Sequence, residues 1–233
     1  MKIPLEKIRA SLYQVAPPSD QVRPLFFKTN PGDYAAHDKF IGVSVPFLRK
    51  LAKEFYALPE QYLQELLESK INEERLLALL ILVDQYQKGN EDLKESCYDF
   101  YLNNLKHVNN WNLVDASAHL IVGTHLHQHP ANKKILVQWA KSEILWERRI
   151  SIIATWQFIR SNELEWTIKI AEILLQDKHD LIHKAVGWML REAGKRDVKR
   201  LMDFLKKNAH SMHRTMLRYA IEKFSEKEKL IFL

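Results

Sequence analysis

The sequence predicts an all-α protein, an α-solenoid of HEAT- or armadillo-like helical hairpins, on three observations. Apolar residues recur at three- and four-residue spacing almost throughout, as one buried helix face requires. Strand signals are missing: there is no long alternating Val/Ile/Thr run and no Asn-Gly or Asp-Gly hairpin turn. Prolines crowd the early part of the chain, up to Pro59, and only Pro130 follows, so most of the sequence runs without a helix breaker.

The periodicity places helices at 3–15, 20–28, 45–57, 59–69, 73–88, 91–105, 111–127, 131–141, 144–160, 163–176, 180–195, 198–208 and 213–224. Ser44 is placed to cap the third, with Pro46 in its first turn, and Asn72 to cap the fifth. The residues near the start of every second helix, Arg75, Trp111, Arg148, Lys184 and Arg214, are separated by 36, 37, 36 and 30 positions. Two helices per unit at that period describe a solenoid in which each hairpin buries its face against its neighbours. The chain reads as one such domain over 1–233, the helices opened by these five residues lining a concave basic groove; a compact helical bundle is the competing architecture.

The chain has 35 Lys+Arg against 29 Asp+Glu, a net charge of +6, which suits a polyanion without requiring one. A single cysteine, Cys97, excludes an intrachain disulfide and reads as a small core residue. The N-terminal stretch has no apolar signal region, and the longest apolar run, 76–83, is too short to span a bilayer. These features predict a reducing, soluble compartment, the cytoplasm, and no membrane partner.

Three helices carry candidate chemistry. In 180–195, Lys184, Trp188, Arg191 and Lys195 share a face distinct from the apolar one. This stripe is either a Trp at the core rim among solvated cations or a groove face that holds phosphate and offers an indole to a sugar or base. Gly187, beside that Trp, costs a helix interior about 1 kcal/mol, which points to close approach of another backbone. In 111–127, Trp111 and Asp115 are i, i+4 neighbours; taken alone, the carboxylate reads as a charge favoured by the helix N-terminus. In 144–160, Leu145, Ile152, Ile153, Trp156 and Ile159 mark the buried face, and Arg149 is in phase with it, so it points inward or along the packing seam, where a carboxylate or phosphate would pair with it. Arg148, one position off, is a second candidate for the same role. His125, His127 and His129, with His119 nearby, lie at a helix end before Pro130; no carboxylate or Cys joins them at ligand spacing, so they read as a solvated helix terminus and not as a metal site. Arg214 and Arg218 lie one turn apart on the last helix and suit either acids or phosphate.

Five blocks resemble the DNA alkylation repair family, the AlkD-like glycosylases. They are Lys39-Phe40-Ile41-Gly42-Val43-Ser44-Val45-Pro46-Phe47-Leu48-Arg49, Asn109-Asn110-Trp111-Asn112-Leu113-Val114-Asp115, Trp146-Glu147-Arg148-Arg149, 184–192 (Lys184 through Trp188 and Arg191 to Glu192) and 214–224, and they occur in the family's order. The resemblance implies a HEAT-like solenoid around duplex DNA that excises N3- or N7-alkylated purines without flipping the base. It implies that Asp115 is the catalytic carboxylate, that Trp111 and Trp188 contact the lesion's deoxyribose, and that Arg149 binds phosphate. Arg148, Lys184 and Arg191 would add phosphate contacts, and Tyr34 corresponds to an aromatic near the DNA. The implied partner is double-stranded DNA containing alkylated bases, bound by a monomer with no metal or organic cofactor, nucleoid-associated when engaged. Asn110, Asn112 and Ser44 depart from the Trp, Asp and Gln of some relatives; they leave the Trp-Asp-Arg-Trp set intact and bear on lesion preference and rate. Two other readings compete: a non-catalytic binder of damaged or branched DNA, and a helical scaffold for a protein partner, against which the Lys184/Trp188/Arg191 stripe argues.

Overall fold

The computed structural model describes residues 4–232. The protein is an all-α solenoid of helical hairpins, with no strand among the described residues beyond an isolated parallel bridge between Lys39 and Ile71. No helix among those residues is long and apolar enough to cross a membrane. The chain divides into two compact units, 1–117 and 118–233.

The N-terminal unit holds α1 (Pro4–Val15), α2 (Val45–Glu54), α3 (Glu60–Leu67), α4 (Asn72–Lys88), α5 (Glu91–Asn103) and α6 (Trp111–Ser117). Helix α4 is its axis, packed by α2, α3, α5 and α6. Its run 76–83 is apolar on every side because every side is covered. Cys97 is buried on α5, and burial raises its thiol to about 11, which keeps it protonated and inert. Asn72 is the first residue of α4 and not its cap; Ile71 stands at the cap, and the Asn72 amide is used by Asp38 and Asn112. The helix expected at 20–28 is absent, because Pro24 cannot donate to a preceding turn and biases Arg23 to extended backbone. A short turn, Ser19–Gln21, and irregular chain replace it. Gly42, within the first family-like block, takes φ +78, the left-handed region, and donates its N–H to Glu73 at 2.8 Å.

The C-terminal unit begins with a π-helical segment, His119–Gly123, in which the Gly123 N–H reaches back five residues to the Ala118 carbonyl at 2.9 Å. It continues with α7 (Thr124–Gln128), α8 (Ile135–Ala140), α9 (Leu145–Arg160), α10 (Glu165–Ile173), α11 (Asp180–Arg196), α12 (Val198–Asn208), α13 (Arg214–Ala220) and α14 (Glu226–Lys229). Helix α9 packs against the π segment, α8, α10 and α11, and α11 packs against α9, α12 and α13. The five repeat-marking residues fall on α4, α6, α9, α11 and α13; the single helix expected at 111–127 is divided into α6, the π segment and α7, so α7 and α8 both precede α9. Gly187 meets the expectation of close approach: a Cβ there would strike the Met216 carbonyl oxygen and the Tyr219 side chain of α13. The histidine end of 111–127 is not simply solvated. His125 is buried, its ring stacks on His129 at 4.3 Å, and His127 lies 2.9 Å from the Glu163 carboxylate.

Candidate active site

In the N-terminal unit the site is built on α6. Asn110, fully buried, accepts a hydrogen bond from the Trp111 N–H at 2.7 Å, which satisfies one of the donors left without an intrahelical partner at the start of α6. Its amide donates at 2.6 Å to Asp38, whose side chain is wholly out of solvent. Asp38 also accepts from Asn72 at 2.9 Å, pairs with the Arg75 guanidinium, and has His37 at 3.2 Å. Asn112 donates to Asn72 at 2.7 Å. A carboxylate taken from water persists only when paired and hydrogen-bonded, so this knot fixes the first turn of α6 in place. Asn110 and Asn112, read from sequence as departures from the family, are members of it.

Trp111 and Asp115 follow on one face of α6, both partly exposed. The Trp111 indole stacks on Phe27 at 5.0 Å and 20°. Behind α6, Tyr101 hydrogen-bonds Ser117 at 3.1 Å. Burial raises the Tyr101 phenol above its usual range; Ser117 opposes that shift and the negative charge of Asp115 adds to it. Tyr34 braces the loop that carries Phe27: its hydroxyl donates to the Phe26 carbonyl at 3.3 Å and accepts from the Lys28 N–H at 3.2 Å.

In the C-terminal unit, Trp188 stands partly exposed on α11. Trp156 meets it edge-on at 4.9 Å and 63°, and His119 of the π segment lies against Trp156 at 4.4 Å. Trp156, expected in the core, therefore stands at its rim as part of an aromatic row. Arg149 points inward as expected, is buried, and donates to the Leu181 carbonyl. Arg148 pairs with Asp177 at 2.6 Å and donates to the Ser142 and Glu143 carbonyls, each at 2.9 Å. Lys184 pairs with Asp180 at 2.7 Å, Arg191 with Glu222, and Lys195 with Glu192 at 2.7 Å. The basic stripe is thus interleaved with carboxylates. Beyond Trp156 a cleft of about 260 Å³ is lined by Ile159, Arg160, Glu192, Lys195 and Arg196, and Arg160 and Arg196 have no carboxylate partner among the described residues.

The sequence pointed to Trp111, Asp115, Trp188, Arg148 and Arg149, and put His119 on the face that continues Trp111 and Asp115; it did not point to Asp38, Phe27, Arg160 or Arg196, and it placed Trp156 in the core. Asp38 sits in irregular chain where no periodicity gives a direction. Arg160 closes α9 as helix-terminal cations commonly do.

A helical-repeat protein that presents an indole and a carboxylate one turn apart belongs, by architecture, among the α-solenoids. This chain belongs to the DNA alkylation repair enzyme family, whose model matches residues 8–224. The solved structure of a predicted DNA alkylation repair enzyme from Enterococcus faecalis is similar over 86% of this chain and 98% of that one, with a TM-score of 0.64 at 18% identity; at that identity the likeness speaks for the fold. No curated protein matches. Family membership gives a role in DNA alkylation repair, and DNA as the partner that role implies.

Proposed function

We propose that the protein is a monofunctional DNA glycosylase that hydrolyses the N-glycosidic bond of N3- or N7-alkylated purines in duplex DNA. The observation that carries this reading is the Trp111–Asp115 pair on one face of a helix whose first turn is locked by Asn110 and Asp38, in a chain of the alkylation repair family. An alkylated N7 or N3 purine is already cationic. The C1′–N bond breaks with its electron pair moving to the base, so no strong general acid is needed. What develops is a deoxyribosyl cation. Asp115 stabilises it electrostatically and orients the water that attacks C1′, and the proton released leaves through the carboxylate to solvent.

Trp111 and Trp188 offer indole faces, which attract a cationic sugar. Trp111 is backed by Phe27, and Trp188 is met edge-on by Trp156, against which His119 packs in turn. The family resemblance assigns Arg149 to phosphate; buried and donating to the Leu181 carbonyl, it would have to turn out of the packing seam to reach one. Arg148, Lys184 and Arg191 would reach phosphate by exchanging Asp177, Asp180 and Glu222 for it; Arg160 and Arg196 need no exchange and join the phosphate-facing set.

The test is release of 7-methylguanine from methylated duplex DNA by wild type and by Asp115→Asn. Wild type releases the base, and the variant loses on the order of 10²-fold or more in rate while binding DNA as tightly. Salt-dependent DNA binding without release by wild type would make the protein a non-catalytic binder of damaged DNA. Absence of both would leave a protein-binding scaffold.

A further inference from the structure

The turn that carries Phe27 has a second side. The Phe27 N–H donates to the Pro24 carbonyl at 2.9 Å, closing a turn whose outer residues, Leu25 and Phe26, are 82% and 80% exposed. Phe27 points the other way, onto Trp111 at 5.0 Å and Phe40 at 4.5 Å. The Tyr34 hydroxyl ties the turn on both sides of Phe27, at the Phe26 carbonyl and the Lys28 N–H. Two large apolar side chains are therefore held out in water by a turn braced from behind in three places. Single exposed apolar residues are ordinary on a soluble protein. An adjacent pair at a braced tip, one residue from the ring stacked on a site indole, is not scattered surface.

The flanking charges say what would cover it. Arg23 and Lys28 bracket the tip; the Arg23 guanidinium donates only to the Asp20 and Val22 carbonyls, and neither cation has a carboxylate partner among the described residues. An apolar tip between unpaired cations matches duplex DNA, whose phosphates flank a stack that Phe and Leu side chains can enter, partly unstacking a base step and bending the helix. We propose that Leu25 and Phe26 form a wedge that enters a base step of duplex DNA next to the nucleotide contacted by Trp111. The inference rests on the DNA-facing assignment of Trp111, and not on the glycosylase chemistry. Because Phe27 couples the tip to that indole, opening the step and seating the sugar become one event.

The experiment uses duplexes with 2-aminopurine placed in turn at each step around an alkylated purine, its fluorescence rising when a neighbour unstacks. Wild type is compared with Leu25→Ser/Phe26→Ser; both side chains lie in solvent, so the melting temperature stays unchanged. Wild type raises the fluorescence at one step. The double variant gives no rise, binds about tenfold more weakly, as expected for a lost aromatic stack on a base, and keeps the slope of binding against salt because its cations remain. An equal rise with both proteins overturns the wedge. So does loss, in the variant, of self-association in sedimentation or of binding to anionic phosphatidylserine vesicles with DNA binding intact, since the tip would then serve a second copy or a lipid surface. Step opening without release of 7-methylguanine keeps the wedge and sinks the glycosylase reading. Release with flat fluorescence does the reverse, and failure to bind duplex DNA overturns both.

Discussion

The two units hold their aromatic faces by opposite means. In the N-terminal unit α4 opens with four consecutive buried polar residues, Asn72, Glu73, Glu74 and Arg75. Arg9 forks onto Glu74 at 3.1 and 3.2 Å, Glu73 accepts the Ile41 and Gly42 N–H groups, and Asp38 gathers Arg75, Asn72 and Asn110. In the C-terminal unit Trp188 is steadied by the Trp156 ring, against which His119 packs in turn; Gly123 lets the π segment approach α9 and Gly187 lets α13 approach α11, where any side chain would strike a neighbouring backbone. Directional bonds place α6 by a few irreplaceable partners; packing places α11 by many interchangeable ones. Loss of one member should therefore be costly in the first unit and mild in the second.

Removing Asp38 gives the largest effect. Asp38→Ala leaves Arg75 buried without its charge partner and Asn110 without its acceptor, and should destabilise by about 3–5 kcal/mol, read from urea unfolding. A loss under about 1 kcal/mol would reduce the knot to a surface-like ion pair and erase the contrast. Trp156→Leu keeps an apolar filler and gives up ring contacts, at about 1 kcal/mol in the same measurement. A cost as large as that of Asp38→Ala would mean that the aromatic row is as cooperative as the polar knot.

The smallest effects sharpen the comparison through pH. Burial raises the Glu73 carboxyl above its ordinary 4.5, and the backbone N–H groups around it restore only part of the shift. The stability this group contributes is complete below 4.5 and is lost as pH rises through its folded value. Glu73→Gln does not titrate, so wild type should lose stability relative to that variant as pH rises from the acid side. His179, whose Nδ1 caps α11 by accepting the Leu181 N–H at 3.1 Å, is lowered from 6.5 chiefly by burial, with Asp177 opposing. Its contribution is present above 6.5 and is lost as pH falls through its folded value. His179→Asn keeps a capping oxygen and should not show that loss. Urea midpoints of each pair across pH should give slopes of opposite sign; slopes of one sign would show that the buried acid or the capping histidine is not what titrates.

Much of this was legible in the chain. Most helix positions followed from apolar spacing because most helices bury one face, though α4 is covered all round and no helix forms at 20–28, and Gly187 announced the close approach of another backbone, which proved to be that of α13. The face shared by Trp111 and Asp115 followed from i, i+4 spacing alone. The segment 16–44 was not legible. It holds Asp38, Phe27 and the Leu25–Phe26 tip, and without a period nothing in its sequence says which side chain turns inward. Asn110 and Asn112 looked like substitutions away from a family pattern until Asp38, far off in sequence, supplied the reason for them.

The sequence by itself determined the all-α class, the repeat period and the residues one helical turn apart, since these depend on local geometry that repeats every few positions. Only the tertiary structure decided which cations are spent on carboxylates, which tryptophans have backing rings, and which buried acid locks α6. Those are contacts between residues tens of positions apart, and their energies depend on burial that no local pattern records.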